Sequence, residues 1–120
     1  MDVALVTDAL QEFRKSADDE GFALLAYCFM PDHVHLLVEG TDDRSDFRRF
    51  VKIGKQRAEY AARRRHLIYG LWQEGYHDWV MRSDQQTEEM IRYVLDNPVR
   101  ARLVERWEQY PHSGTMFPLL

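Results

Sequence analysis

Two histidines separated by one residue are the first groups in this chain that could do chemistry. His33 and His35 lie in the apolar segment HVHLLVE, which predicts a β-strand. Because alternate strand residues project from the same face, both imidazoles can reach one metal ion while Val34 packs on the opposite face. Burying an imidazole without a partner is costly, so two hydrogen-bonded, partly buried histidines are the other interpretation. The pair by itself leaves both interpretations open.

A tyrosine and an asparagine four residues apart form the second candidate group. Tyr93 and Asn97 stand at the end of a predicted helix, immediately before Pro98. This spacing places the phenol and the amide one turn apart on one helix face, so Asn97 could complete a metal shell towards which Tyr93 points. The alternative is ordinary packing by Tyr93 and a helix stop at Asn97, because proline disfavours helical backbone in the preceding residue.

The elements that must position these groups follow from hydrophobic periodicity and turn signals. Three helices are predicted: one at about residues 2–18, one that follows the loop at 40–45 and runs through the basic segment at 44–66, and one from Ser83 to about Asn97. Ser83 forms a capping-box pattern with Gln86 at the start of the third helix. Strands are predicted at 22–29, 33–39 and about 76–81, and residues 98–120 are expected to hold a short helix and an irregular tail. The first two strands should pair antiparallel through the turn at residues 30–32. The aromatic residues Trp72, Tyr76, Trp79 and Trp107 are expected mainly in the core, and stacking on nucleobases is the alternative.

Length and composition restrict the class of protein. The 120 residues, of which 45% are hydrophobic and 30% charged, fit one folded domain over 1–120. No apolar run is long enough to cross a membrane, and Asp2 and Asp8 stand where a signal peptide would carry basic residues. The single Cys28 excludes an internal disulfide and fits a reducing compartment. We therefore expect a cytoplasmic protein.

The net charge of −4 conceals one strongly basic segment. Residues 1–43 carry ten acids and two bases, and residues 67–120 carry eight acids and five bases. Residues 44–66 carry nine bases and two acids, which gives this segment a net charge of +7. Because phosphate groups respond to the local field rather than to the total charge, this helix is a candidate anion-binding surface. A solvated helix face is the other interpretation.

Three segments of the chain together carry a family resemblance. They are YCFMPDHVHLLVEG (residues 27–40), LWQEGYHDWVMR (71–82) and YVLDNPVRARLV (93–104). In this order they resemble the Y1 (IS200-like) transposases of the HUH superfamily, and within it the REP-associated tyrosine transposases of bacteria. The resemblance implies an α+β domain with a ferredoxin-like antiparallel sheet and helices packed on one face. It also implies that the protein is located in the bacterial cytoplasm, in association with the nucleoid.

The resemblance also implies roles for individual residues. His33, His35 and Asn97 would bind a divalent cation, Mg or Mn, and Tyr93 would be the nucleophile that forms a 5′-phosphotyrosine on single-stranded or hairpin DNA. The DNA backbone would follow the basic residues Arg48, Arg49, Lys52, Lys55, Arg63, Arg64 and Arg65. One alternative is a catalytically inactive relic that still binds hairpin DNA. Another is a small metal-binding protein that has no connection with DNA.

Two departures from the family pattern affect these expectations. Family members begin with a strand before the first helix, whereas here the predicted helix follows Met1 directly. The first strand is therefore expected to be missing and one strand edge to lack a partner, which a second copy in a homodimer could supply. Arg102 stands where the family has glycine.

Overall fold

A computed structural model describes residues 2–43, 45–72, 76–82 and 87–116. Its helices are α1 (Val3–Glu20), α2 (Phe47–His66), α3 (Thr87–Leu95) and α4 (Asn97–Arg100), with a 3₁₀ turn at Trp107–Gln109. Its strands are β1 (Phe22–Phe29), β2 (His33–Gly40), β3 (His77–Arg82) and β4 (Ser113–Thr115). The predicted α+β class is confirmed. The proposed capping box at residues 83–86 lies outside the described residues.

The ends of the two long helices follow from local chemistry. The side chains of Asp2 and Asp46 accept hydrogen bonds from the backbone N–H groups of Ala4 and Arg49, at 2.8 and 3.1 Å, and so cap α1 and α2. Gly21 ends α1 in the left-handed conformation that glycine adopts without strain (φ 80°). Neither these helices nor any other helix in the described ranges combines the length and apolar character that a membrane span requires.

The four strands form one sheet in the order β3–β2–β1–β4. β1 pairs antiparallel with β2, as predicted, and antiparallel with β4 on its other side. β3 pairs parallel with β2, so the expectation of a wholly antiparallel sheet is wrong for this strand. The reason is the helical crossover: α2 carries the chain back to the end of the sheet where β2 begins, and β3 then runs in the same direction.

The expectation that one strand edge lacks a partner is wrong for the part of β1 that pairs with β4. β2 lies between β1 and β3, and β1 lies between β2 and β4. β4 was not predicted because its three residues, Ser-Gly-Thr, have no apolar alternation; it is held by the register Ala26–Thr115 to Cys28–Ser113. The sheet therefore places its edges at β3 and β4 within the described residues.

Two hydrophobic clusters cover the two faces of the sheet. The first joins α1 and α2 to the side chains of Val34, Leu36 and Val38, in agreement with the predicted helical layer on one face. The second packs α3 against the opposite face, which includes Leu37. We call these the α1/α2 face and the α3 face. Alternation along β2 assigns His33 and His35 to the α3 face, because they share the parity of Leu37.

Close packing of α1 on α2 depends on one glycine. Phe13 of α1 is fully buried and lies edge-on to Phe50, with ring centroids 6.5 Å apart. A Cβ atom at Gly54 of α2 would lie 2.6 Å from Cδ1 of Phe13. The absence of a side chain at Gly54 thus lets the two helices approach each other over the Phe13 ring.

Candidate functional site

The two histidines of β2 lie next to each other on the α3 face, as the strand period predicts. Their ring centroids are 4.7 Å apart, and the rings are nearly perpendicular. His35 is 8% exposed, and His33 is partly exposed. Neither ring stacks on the other, so both keep a nitrogen edge that can face a shared ligand.

A carboxylate orients the His33 ring. Its Nδ1 lies 2.6 Å from Oδ1 of Asp32, the preceding residue. This hydrogen bond lowers the pKa of the Asp32 carboxyl, which is therefore ionised at neutral pH. The carboxylate accepts the hydrogen bond that the Nδ1–H group of His33 donates. In a neutral imidazole that donates from Nδ1, the lone pair lies on Nε2. A carboxylate that fixes the tautomer of a histidine in this way is a common support of a metal ligand.

His35 and Asn97 carry buried polar atoms that have no hydrogen-bond partner within the described ranges. These atoms are His35 Nδ1 and Asn97 Nδ2; a third is His112 Nδ1, close to β4. Burial, followed by the charges of His33 and Arg100, lowers the pKa of His35 to about 4, so its ring is neutral at pH 7. The amide of Asn97 presents oxygen instead of nitrogen after a half-turn about its last bond.

These donors fit a divalent cation. A neutral imidazole and an amide oxygen are both competent ligands, and imidazole suits Mn better than Mg. Within the described residues no group of three His, Cys, Asp or Glu side chains could hold a metal ion. A cation held by the histidine pair would therefore need a third protein ligand of another type, and the resemblance gives that role to the amide of Asn97.

Tyr93 lies on the outward side of α3. Its side chain is 54% exposed, whereas Ile91, Val94 and Leu95 of the same helix are buried against the sheet. Arg100 of α4 covers the Tyr93 ring, with the guanidinium carbon 4.3 Å from the ring centroid. Arg100 also donates from Nη2 to the backbone oxygen of Tyr93 at 2.7 Å. The phenol is thus accessible to a substrate while a cation lies over its ring.

The break between α3 and α4 falls where the sequence predicts a helix stop. α3 ends at Leu95, and α4 begins at Asn97 with Pro98 in its first turn, where proline is tolerated. The chain then turns at Arg102, whose φ is 60°. A left-handed φ is the conformation that glycine adopts most readily, which explains physically why glycine suits this position.

Two residues at this site were not assigned by the sequence. Trp79 of β3, expected in the core, is 59% exposed and stacks on His35, with ring centroids 6.2 Å apart and planes 12° from parallel. Arg100 lies in the third resemblance segment but had no role. The sequence holds no clear signal for this contact, because a helix stop is predicted between Tyr93 and Arg100.

The predicted DNA-binding cations are placed on α2, on the other face of the sheet. Three of them are committed to carboxylates: Arg49 to Glu20 at 2.6 Å, Lys55 to Asp78 at 2.7 Å, and Arg65 to Asp8 at 3.2 Å. The basic segment therefore neutralises part of the acidic first helix. The role of these residues in DNA binding stays a prediction.

The other four cations of that set make no ion pair with a described residue. Arg48 and Lys52 line a shallow groove along α2 together with Ile53 and Gln56. Arg63 and Arg64 lie near the ring of Tyr60, 5.6 and 5.8 Å from its centroid. These four are the cations of α2 that remain available to an external anion.

Comparison with known proteins agrees with the family resemblance of the three sequence segments. The family model described as "Transposase IS200 like" matches residues 4–97, a range that includes the histidine pair, Tyr93 and Asn97. A protein of Haemophilus influenzae named "Putative REP-associated tyrosine transposase" is 23% identical over 125 residues, which cover 91% of this chain and 70% of the relative. No solved structure gives a significant match.

Proposed function

Since this chain belongs to the IS200-like transposase family, we propose that it cleaves and rejoins one strand of hairpin-forming DNA through Tyr93, with a divalent cation held by His33, His35 and Asn97. One observation carries this proposal. His35 Nδ1 and Asn97 Nδ2 are buried without a hydrogen-bond partner among the described residues, and α3, which packs on the same face of the sheet as His35, carries the exposed Tyr93 on its outward side. Burying such atoms is costly unless a ligand satisfies them.

The tyrosine carries the covalent step. The phenolic oxygen of Tyr93 loses its proton and attacks the scissile phosphorus, while the bond from phosphorus to the 3′ oxygen breaks. The leaving 3′ oxygen takes up a proton, so the products are a 5′-phosphotyrosine and a free 3′-OH. The new bond is again a phosphodiester, so attack by a 3′-OH reverses the step and joins strands without ATP.

The other residues of the proposed site would prepare the phosphate for this step. His33, oriented by Asp32, and His35, neutral through burial, would hold the cation together with Asn97. When bound, the cation supplies charge neutralisation at the phosphate oxygens and polarises the phosphorus. Trp79, exposed beside His35, offers a surface on which a nucleobase can stack.

The remainder of the DNA would meet the cations of α2. Arg48, Lys52, Arg63 and Arg64 have no carboxylate partner in the described part of the chain, and single-stranded or hairpin DNA supplies phosphates for them. We include a homodimer in this proposal, since β3 is an edge strand through which two copies can pair. The reaction would take place on DNA in the bacterial cytoplasm.

The test is a covalent adduct. The protein is incubated with Mn²⁺ and a panel of hairpin-bearing single-stranded oligonucleotides, and denaturing gels are used to detect protein bound to the 5′ end of the cleaved strand. We expect an adduct that disappears in Tyr93→Phe and persists in Tyr60→Phe, a matched control because the two tyrosines are 54% and 53% exposed. An adduct in Tyr93→Phe would exclude Tyr93 as the nucleophile. Hairpin binding without any adduct across the panel would instead support the inactive DNA-binding alternative.

A further inference from the structure

We propose that Arg100 binds a non-bridging oxygen of the phosphate that Tyr93 attacks and fixes the Tyr93 ring beside it. The inference rests on the proposed function, since it takes Tyr93 as the nucleophile. Arg100 touches Tyr93 at both ends of the residue, at its backbone oxygen (2.7 Å from Nη2) and at its ring (4.3 Å from the guanidinium carbon). Two such contacts restrict both the helix end and the rotation of the ring.

The guanidinium keeps unused hydrogen-bonding capacity. An arginine has five N–H donors in a planar fork, and only the bond from Nη2 to the Tyr93 oxygen is made here to a described residue. Arg100 is exposed and has no carboxylate partner within the described ranges. Its neighbour Arg92, one residue before Tyr93, is instead paired with Glu88 at 3.1 Å. A free guanidinium against a nucleophile fits an anion that arrives with the substrate, and phosphate matches its fork geometry.

The position of Arg100 relative to the sheet supports the same role. Its charge acts on His35 of β2 and on Cys28 of β1, both of which face α3. The field of the guanidinium therefore reaches one of the candidate cation ligands, His35, while its contacts hold Tyr93. A phosphate at this point would bring its negative charge between the guanidinium and the histidine pair, which lowers the repulsion between Arg100 and a bound cation.

A purely structural role is the competing explanation. The bond from Arg100 to the Tyr93 backbone crosses the break between α3 and α4, so it could simply hold the two helices together. If Arg100 is only structural, its replacement by alanine lowers the stability of the protein. The wild-type protein then shows no specific response of Arg100 to phosphate. A phosphate-binding arginine would affect the rate of adduct formation more than the affinity for DNA, because the contact is strongest as charge develops on the phosphate.

The first arm of the experiment measures the adduct. Arg100→Ala and Arg100→Lys are compared with the matched controls Arg92→Ala and Arg92→Lys, which remove the same groups one residue from Tyr93. At saturating oligonucleotide we expect a loss of roughly 100-fold in rate for Arg100→Ala, the size seen when one oxyanion donor is removed, and a smaller loss for Arg100→Lys. The half-saturating DNA concentration should change less than threefold, and both controls should stay close to wild type. A wild-type rate in Arg100→Ala overturns the inference.

The second arm does not require cleavage. Inorganic phosphate is titrated into the protein, and the Nε–H resonance of Arg100, assigned by its loss in Arg100→Lys, is followed by NMR. A saturable shift is expected, and its absence overturns the inference. If the wild-type protein forms no adduct with any oligonucleotide, the proposed function fails, and the phosphate titration alone then decides the role of Arg100.

Discussion

The two faces of the sheet use polar residues in opposite ways. On the α1/α2 face, the acids of α1 meet the bases of α2, as in Arg57–Asp19 at 2.9 Å and Arg65–Asp8 at 3.2 Å. Even the partly buried ring of His66 has a hydrogen-bond partner, because its Nε2 lies 2.7 Å from Oδ2 of Asp8. On the α3 face, His35 Nδ1 and Asn97 Nδ2 are buried without a hydrogen-bond partner among the described residues, and the side chains of Tyr93, Trp79 and Arg100 are exposed.

Under the proposed function, unsatisfied polar atoms mark the reaction site, whereas part of the basic charge serves the packing of α1 against α2. The basic segment of +7 is prominent in the sequence, yet three of its nine bases pair with acids of α1 in the fold. The α3 face has fewer charges but more groups that need a ligand. His112 near β4 is an exception. Its Nδ1 is also buried without a hydrogen-bond partner among the described residues, and the proposed reaction does not use it.

Removing a histidine from each face should give the largest contrast. His35→Ala is expected to lower the rate of adduct formation at least about 100-fold and to abolish Mn²⁺ binding, because it removes a ligand rather than a supporting group. His66→Ala should keep the rate and the Mn²⁺ affinity, and lower only stability, since it leaves Asp8 with one partner fewer. Calorimetric Mn²⁺ titration and adduct kinetics measure both. Equal effects of the two changes would remove the distinction between the faces.

A packing change on the α1/α2 face should affect stability and not chemistry. Gly54→Val places a branched side chain against the buried Phe13 ring, whose Cδ1 would lie 2.6 Å from the new Cβ. Overpacking of this kind costs about 2–3 kcal/mol, measured by urea unfolding. The exposed Gln56→Val on the same helix is the control and should cost roughly 0.5 kcal/mol through helix propensity. At temperatures where Gly54→Val is folded, its adduct rate should equal that of wild type.

Free and paired cations of α2 should differ in DNA binding. Arg48→Gln with Lys52→Gln removes two cations that have no carboxylate partner, and should weaken hairpin binding at low salt. The slope of log affinity against log salt should fall by about 1.4, since each phosphate contact to a single strand contributes roughly 0.7. Arg49→Gln with Arg65→Gln removes the same charge from residues that pair with Glu20 and Asp8. A similar loss in this second variant would show that net charge, rather than availability, governs binding.

The lowered pKa of His35 predicts a specific acid sensitivity. The folded ring titrates at about 4 and the unfolded ring at its ordinary 6.5, so the unfolded chain takes up this proton first. The contribution of His35 to stability is complete above pH 6.5 and is lost as the pH falls towards 4. The midpoint temperature of thermal unfolding should therefore fall more steeply between pH 6.5 and 4 for the wild type than for His35→Gln. Parallel curves would mean that the His35 pKa is not lowered in the folded protein.

The smallest effect is expected at the turn after α4. Arg102 has a φ of 60°, which costs an L-residue about 1–2 kcal/mol; glycine avoids that cost but loses about 0.5–1 kcal/mol through backbone entropy. Arg102→Gly should thus stabilise the protein by roughly 0.5 kcal/mol, measured by urea unfolding. Ala101→Gly is the control, because Ala101 has an ordinary φ of −81°, and it should destabilise. Stabilisation by both changes would contradict the assignment of strain to Arg102.

The sequence by itself determined the local features of this protein. It predicted α1, β1 and β2 to within about two residues, the shared face of His33 and His35, and a helix stop near Asn97. Each depends on interactions within a few residues along the chain: the strand period of two, the helix period of 3.6, and the backbone restrictions of glycine and proline.

The tertiary structure decided what depends on contacts between distant segments. It gave the parallel pairing of β3 with β2, the exposure of Trp79, the neutral state of His35 and the pairing of α2 cations with α1 acids. It also brought the guanidinium of Arg100 over the ring of Tyr93. None of these follows from local periodicity, because burial, pKa and ion pairing are set by whichever segments the fold places side by side.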